Sequence, residues 1–124
     1  MTETHLMTRP WPIIAAHFRT GRSRASHAIA GLCDYIAARP VRTGVHGWTS
    51  MYTLCITQIP VHYPYEGPVL IVDPVSNESV EFRYEDTFIK SRMWRRTEPG
   101  ERVIDRFRKT MIQLNWFTHR SVLD

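Results

Sequence analysis

Cys55 and the two histidines that flank it in the sequence, His46 and His62, have the residue types needed for covalent catalysis. A cysteine nucleophile needs its thiolate stabilised by a nearby imidazole or by a helix N-terminus. Cys55 instead falls in the middle of an alternating segment that predicts a β-strand, between Thr53 and Thr57, where no helix dipole is expected. The sequence therefore favours a packed thiol. A small cysteine-dependent hydrolase or transferase is the weakest of three functional hypotheses.

Metal and cofactor binding are not indicated by the other polar residues. The six histidines and two cysteines form no H-x-H, H-E-x-x-H or paired-cysteine spacing. The segment TGVHGWTS (43–50) has two glycines before its hydroxyl residues, but it lacks the lysine of a phosphate-binding loop and predicts a connector. We expect no cofactor and no metal, and binding is favoured over catalysis.

A cluster of arginines precedes the last predicted helix in the segment SRMWRR (91–96). Such a cluster favours contact with phosphate or with an acidic protein. A tryptophan beside arginines can stack on a nucleic-acid base, but more often it fastens a loop to the core, and we favour the second role for Trp94. No RNA- or DNA-recognition motif accompanies it. The nucleic-acid hypothesis assigns the contact to Arg92, Trp94, Arg95, Arg96, Arg102 and Arg106.

The segment PVHYPYEGP (60–68) contains three prolines and presents His62, Tyr63 and Tyr65 on a stiff connection. Rigid aromatic residues lose little entropy on binding and are common interface anchors. Alternatively, the tyrosines fold back over one end of the sheet. These three residues are the predicted partner-binding site.

Charge is unevenly distributed along the chain. The formal net charge is +4, but residues 43–89 carry one arginine and six acids, whereas residues 90–109 carry eight bases and three acids. The predicted sheet is therefore acidic and the last helix basic. Most of these charges are expected to pair within the fold or to remain solvated, because exposed ion pairs contribute only about 0–1 kcal/mol each.

Two helices are predicted in the first third of the chain. The segment RPWPIIAAHFRTG (9–21) has Pro12 at a favourable first position. The segment SRASHAIAGLCDYIAARP (23–40) has apolar residues spaced i, i+3, i+4 and i+7 and ends before Pro40. Its apolar stripe consists of Ile29, Leu32, Cys33 and Ile36.

Three strands follow in the middle of the chain. MYTLCITQ (51–58) and SVEFRYE (79–85) alternate, and PVLIV (68–72) is a continuous apolar run typical of a central strand. Turn-forming residues between the second and third strands predict an antiparallel hairpin. A fourth edge is expected near Phe88 and Ile89.

The last segment, PGERVIDRFRKTMIQLNWF (99–117), predicts an amphipathic helix of four to five turns. Glu98 with Arg102, and Asp105 with Lys109, have the i,i+4 spacing of helical ion pairs.

These elements predict one α+β domain over residues 1–124, in which residues 1–10 are the part expected to be flexible. Its core is a small three- to four-stranded antiparallel meander. Two N-terminal helices and one long C-terminal helix pack on the apolar face of that sheet.

Composition is that of an ordinary globular chain, with 43% hydrophobic and 23% charged residues. We expect no signal peptide and no membrane contact, because no apolar run approaches the roughly 20 residues that span a bilayer. Two isolated cysteines suit a reducing compartment, so a bacterial-type cytoplasmic protein is expected. The favoured function is an accessory protein that binds a protein partner, including a second copy of itself, and nucleic-acid binding is the alternative.

Overall fold

The computed structural model describes residues 6–124. Three helices and five strands follow one another in the order ααβββββα. Their bounds are α1 Trp11–Arg19, α2 Arg24–Ala37, β1 His46–Ser50, β2 Thr53–Thr57, β3 Pro68–Pro74, β4 Ser79–Asp86, β5 Trp94–Pro99 and α3 Val103–Leu114. The α+β class is confirmed.

The two N-terminal helices are confirmed. Pro12 lies in the first turn of α1, where its missing N–H costs no helical hydrogen bond. The side chain of Ser23 accepts the N–H of Ser26 at 3.0 Å and so caps α2. All four residues of the predicted apolar stripe of α2 are buried.

The sheet is an antiparallel meander in the order β1-β2-β3-β4-β5. The apolar run of β3 occupies the central position, and the β3–β4 hairpin is confirmed by pairing from Pro68 with Asp86 to Pro74 with Val80. The predicted three strands are thus the middle of the sheet. The expectation of three to four strands was too low by at least one strand.

The two additional strands differ from the predicted fourth edge near Phe88 and Ile89. The carboxylate of Asp86 accepts the N–H groups of those two residues, at 2.8 and 3.1 Å, and turns the chain away from the sheet. The first additional strand is β1, within the predicted connector, and the second is β5, whose first residues belong to SRMWRR.

Both faces of the sheet bury side chains. The helices cover the face that carries Leu54, Leu70 and Phe82, which form the main core. The opposite face, called the outer face below, buries a smaller cluster of Trp48, Cys55, Val61 and Ile71. Residues 6–9 border this cluster, because Met7 packs against it and the N–H of Met7 donates to Val61 O at 2.8 Å.

The edge strand β1 is partly covered by the start of the described chain, where Arg9 donates its N–H to Gly47 O at 2.9 Å. The sequence predicts a flexible start over residues 1–10, and residues 1–5 of this range lie outside the described residues. Across residues 6–124, no helix combines the length and apolarity needed to cross a membrane.

The last helix is shorter than predicted, because residues 100–102 form a 3₁₀ turn before α3 begins. Asp105 and Lys109 make the predicted ion pair at 3.1 Å. The predicted pair of Glu98 with Arg102 was wrong, since Glu98 lies in β5 and pairs with Arg106 of α3 at 2.9 Å.

Candidate functional site

Two loops meet at one end of the sheet, where β3 begins and β4 ends. They are the Tyr-Pro loop (residues 58–67) and the β4–β5 loop (residues 87–93). Gly67 donates its N–H to Thr87 Oγ1 at 2.6 Å and joins the two loops. The fold therefore places the predicted partner-binding segment beside the residues that lead into SRMWRR.

Exposed apolar side chains collect at this end of the sheet. Tyr63 is 73% exposed and Phe88 is 70% exposed, and Ile89 and Met93 are also exposed. These four residues are called the apolar end below. Single exposed apolar residues are ordinary on a protein surface, so it is the occurrence of four of them on adjoining loops that makes this end a candidate contact surface.

Tyr65 anchors the Tyr-Pro loop instead of facing solvent. Its hydroxyl donates to Pro68 O at 2.6 Å, and its ring meets Trp48 edge-to-face with centroids 6.1 Å apart. Burial, with a contribution from the nearby carboxylate of Asp86, raises the pKa of Tyr65. Of the predicted trio, His62 and Tyr63 are exposed and Tyr65 folds back onto the outer face.

The β4–β5 loop is braced in a similar way. Asp86 is buried, and its carboxylate holds the backbone of Phe88 and Ile89. The sequence has one signal for this turn, an aspartate followed by a threonine and two apolar residues at the end of a strand, whereas the fourth edge predicted near Phe88 and Ile89 is wrong. Phe88, Ile89 and Met93 are the surface residues that the sequence reasoning did not assign to a site.

The residues of the arginine cluster serve different roles. Trp94 stacks on Tyr84, with ring centroids 6.2 Å apart and planes at 28°, and packs against the main core. Arg106 makes its ion pair with Glu98 where both side chains are mostly buried, 15% and 13% exposed. The other four arginines that the nucleic-acid hypothesis names are exposed and have no carboxylate within 4 Å in the described chain: Arg92, Arg95, Arg96 and Arg102.

Beside β5, the outer face carries a compact acidic cluster. Arg83 lies 3.3 Å from Asp73, 3.0 Å from Glu81 and 3.7 Å from Glu85. Arg95 is the cross-strand neighbour of Arg83. Three carboxylates next to the exposed arginines would repel a polyanion that lay across this face.

Cys55 is a buried thiol of the outer-face cluster. Burial, opposed in part by Arg83, raises the pKa of the Cys55 thiol to about 12, so it is uncharged at neutral pH. No imidazole in residues 6–124 hydrogen-bonds to it; His46 pairs with Thr57 across the β1–β2 ladder, and His62 is exposed. This environment does not support a nucleophilic role.

We expect the Cys55 thiol of the folded Cys33→Ala variant to react slowly with iodoacetamide at pH 8. A pKa of about 12 instead of 9.0 gives a thiolate fraction roughly a thousandfold smaller. Because the folded state holds this proton more tightly than the unfolded chain, stability should also fall as the pH rises from about 9 towards 12. Fast labelling of the native protein, as fast as in urea, would restore the catalytic hypothesis.

A cleft of about 540 Å³ lies at the other end of the sheet, between the start of α2, the start of β4 and the end of β5. Of its polar groups, Arg24 pairs with Glu78 at 3.1 Å and His27 Nε2 bonds to Gly21 O at 2.7 Å, whereas Glu101 makes no ion pair within residues 6–124. In the part of the chain that the structure describes, no three His, Cys, Asp or Glu side chains are grouped to hold a metal ion.

Comparison of the chain with protein families, with curated proteins and with solved structures finds no match. The case for a function therefore depends on the geometry of its surfaces.

Proposed function

We propose that this chain is a protein-binding module whose contact surface is the apolar end. The observation that carries the proposal is that Tyr63, Phe88, Ile89 and Met93 are all exposed on two loops that a hydrogen bond ties together. Their partner is a protein, and self-association is the special case in which that partner is a second copy.

The bracing of both loops supports this proposal. The bonds from Tyr65 to Pro68 and from the amides of Phe88 and Ile89 to Asp86 fix the backbone before any partner arrives. A surface that is already ordered loses little conformational entropy on binding. Exposed aromatic residues on such a surface are the usual anchors of protein interfaces.

Nucleic-acid binding is the second candidate, and the unpaired Arg92, Arg95, Arg96 and Arg102 favour it. Two observations weigh against it. Trp94 is already stacked on Tyr84, and Arg106 is occupied by Glu98. Binding to a generic oligonucleotide that weakens steeply with salt, and that is lost when these four arginines are replaced, would favour this candidate over the first.

The proposed setting is the cytoplasm, as expected for a small basic protein of bacterial type. Cys33 and Cys55 are both free and buried, one in the main core and the other in the outer-face cluster. Thiols in these positions suit a reducing compartment and play no part in the proposed contact.

The test is a photo-crosslinking amino acid placed at Phe88 in the full chain, in the cells that make it. A matched control is the same amino acid at Tyr52, which is 62% exposed but lies in the β1–β2 turn at the opposite end of the sheet. We expect a defined protein adduct from position 88 and none from position 52. Adducts of equal yield and identity at both positions, or none at either, would contradict the proposal.

A further inference from the structure

The strand β5 leaves one edge of the sheet open. It pairs with β4 on one side, and within residues 6–124 no other strand pairs with its second side. The other edge strand, β1, is partly covered by its bond with Arg9. An open edge presents unpaired N–H and C=O groups that can accept a further strand.

The ladder identifies which backbone groups of β5 point outwards. Gly100 donates its N–H to Glu78 O at 2.9 Å, immediately beyond the paired residues Ser79 and Pro99. Bonded and non-bonded pairs alternate in an antiparallel ladder, so Trp94, Arg96 and Glu98 direct their backbone groups to β4. The N–H and C=O groups of Arg95 and Thr97 therefore face away from the sheet.

The side chains of this edge give it a charge. Arg95 projects from the outer face, because it pairs with Arg83, and Arg96 projects from the helix face, because it pairs with Phe82. Neither has a carboxylate within 4 Å in the described chain, and Lys90 and Arg92 precede them in the β4–β5 loop. A strand added at this edge would therefore lie beside Arg95 on the outer face and Arg96 on the helix face. The three carboxylates of the outer face belong to β3 and β4, on the far side of β5 from the added strand, and lie close to Arg83.

We infer that β5 binds an extended acidic segment of the protein partner as a sixth strand. The segment would carry carboxylates at two successive positions, one opposite Arg95 and one opposite Arg96. A second copy of β5 is a poorer occupant, since pairing Arg96 with Arg96 would be repulsive and pairing Arg96 with Glu98 would compete with the ion pair that Glu98 makes with Arg106. This inference rests on the proposed function, because it specifies how a partner continues from the apolar end along the sheet.

The test uses two labelled peptides of about six residues, a usual strand length, built of threonine and valine with two central glutamates or two central lysines. We expect the glutamate peptide to bind at least about tenfold more tightly than its lysine twin. The double variant Arg95→Glu/Arg96→Glu should reverse that preference. Equal binding of the two peptides, or no binding up to about 1 mM, would overturn the inference.

Backbone pairing is tested separately from charge attraction. In the complex, the amide hydrogens of Arg95 and Thr97 should become protected from exchange, whereas those of Trp94, Arg96 and Glu98 are protected already. N-methylation of the peptide should abolish binding only at alternate positions. Thr97→Pro, which removes an outward N–H, should weaken binding, while Thr97→Val should not.

Binding that is insensitive to N-methylation at every position would overturn the inference and indicate charge attraction alone. An oligonucleotide that displaces the peptide without protecting the amides of Arg95 and Thr97 would point to nucleic acid instead. If the glutamate peptide does not bind as expected while the crosslink at Phe88 persists, the proposed function stands and only the strand-addition mode is wrong.

Discussion

Replacing Glu98 by alanine is expected to destabilise the fold by about 3 kcal/mol, because it leaves the charge of Arg106 unpaired where its side chain is only 15% exposed. The pair links β5 to α3, so its loss should loosen the edge of the sheet as well as the helix. Urea unfolding followed by circular dichroism measures the change in the free energy of unfolding.

A matched control breaks the second ion pair of α3. Asp105 and Lys109 are exposed, so Asp105→Ala should change the free energy of unfolding by no more than about 0.5 kcal/mol. The double variant Glu98→Leu/Arg106→Met should recover most of the stability lost in Glu98→Ala. If Glu98→Ala cost no more than Asp105→Ala, the pair would not be the link between strand and helix.

Replacing Gly47 by alanine should destabilise the protein by about 1–3 kcal/mol, the usual cost of overpacking a core. A Cβ at Gly47 would lie 2.6 Å from the Trp11 ring and 3.1 Å from Ile14, both of which are buried. Trp11 is itself held by a bond from Nε1 to Val45 O at 3.3 Å, so it has little freedom to move.

Gly31→Ala is the control for this substitution and should have the opposite sign. Gly31 lies inside α2, and a Cβ there meets no atom within 4 Å. Alanine should therefore stabilise the helix by about 0.5–1 kcal/mol. Thermal unfolding of both variants decides the point, and equal shifts in the same direction would contradict the packing of Trp11 over Gly47.

The parts of the fold that the sequence predicted are those in which local periodicity and burial agree. The stripe of α2 faces the main core, and the apolar run of β3 is buried on both faces of the sheet, with Leu70 and Val72 in the main core and Ile71 in the outer-face cluster. The pattern of their residues therefore reports their secondary structure directly. The turn-forming residues between β3 and β4 likewise determine the hairpin through interactions between neighbours in the sequence.

The strands that the sequence missed are those at the edges. β1 contains Gly47, which looked like part of a loop, and only the tertiary contact with Trp11 explains a glycine there. The sequence of β5 is mostly charged and polar, because an edge strand with solvent on its free side needs little apolar alternation. It therefore lacks the pattern that predicts a strand.

The candidate site was predicted only in part for the same reason. The prolines and tyrosines of the Tyr-Pro loop were visible in the sequence, but the division of roles between exposed Tyr63 and anchored Tyr65 depends on Trp48, far along the chain. The sequence alone does not show that the β4–β5 loop lies beside the Tyr-Pro loop, because this depends on the antiparallel pairing of β3 with β4. The pairing of Arg106 with Glu98 required the same knowledge.

The proposed contact at the apolar end is tested most directly by the affinity of the purified partner identified from the crosslink at Phe88. Calorimetry should show at least about tenfold weaker binding for Tyr63→Ala/Phe88→Ala than for the native chain. The variant Tyr52→Ala, an aromatic truncation of similar exposure at the opposite end of the sheet, should bind as the native chain does. Equal affinity for all three proteins would contradict the assignment of this surface.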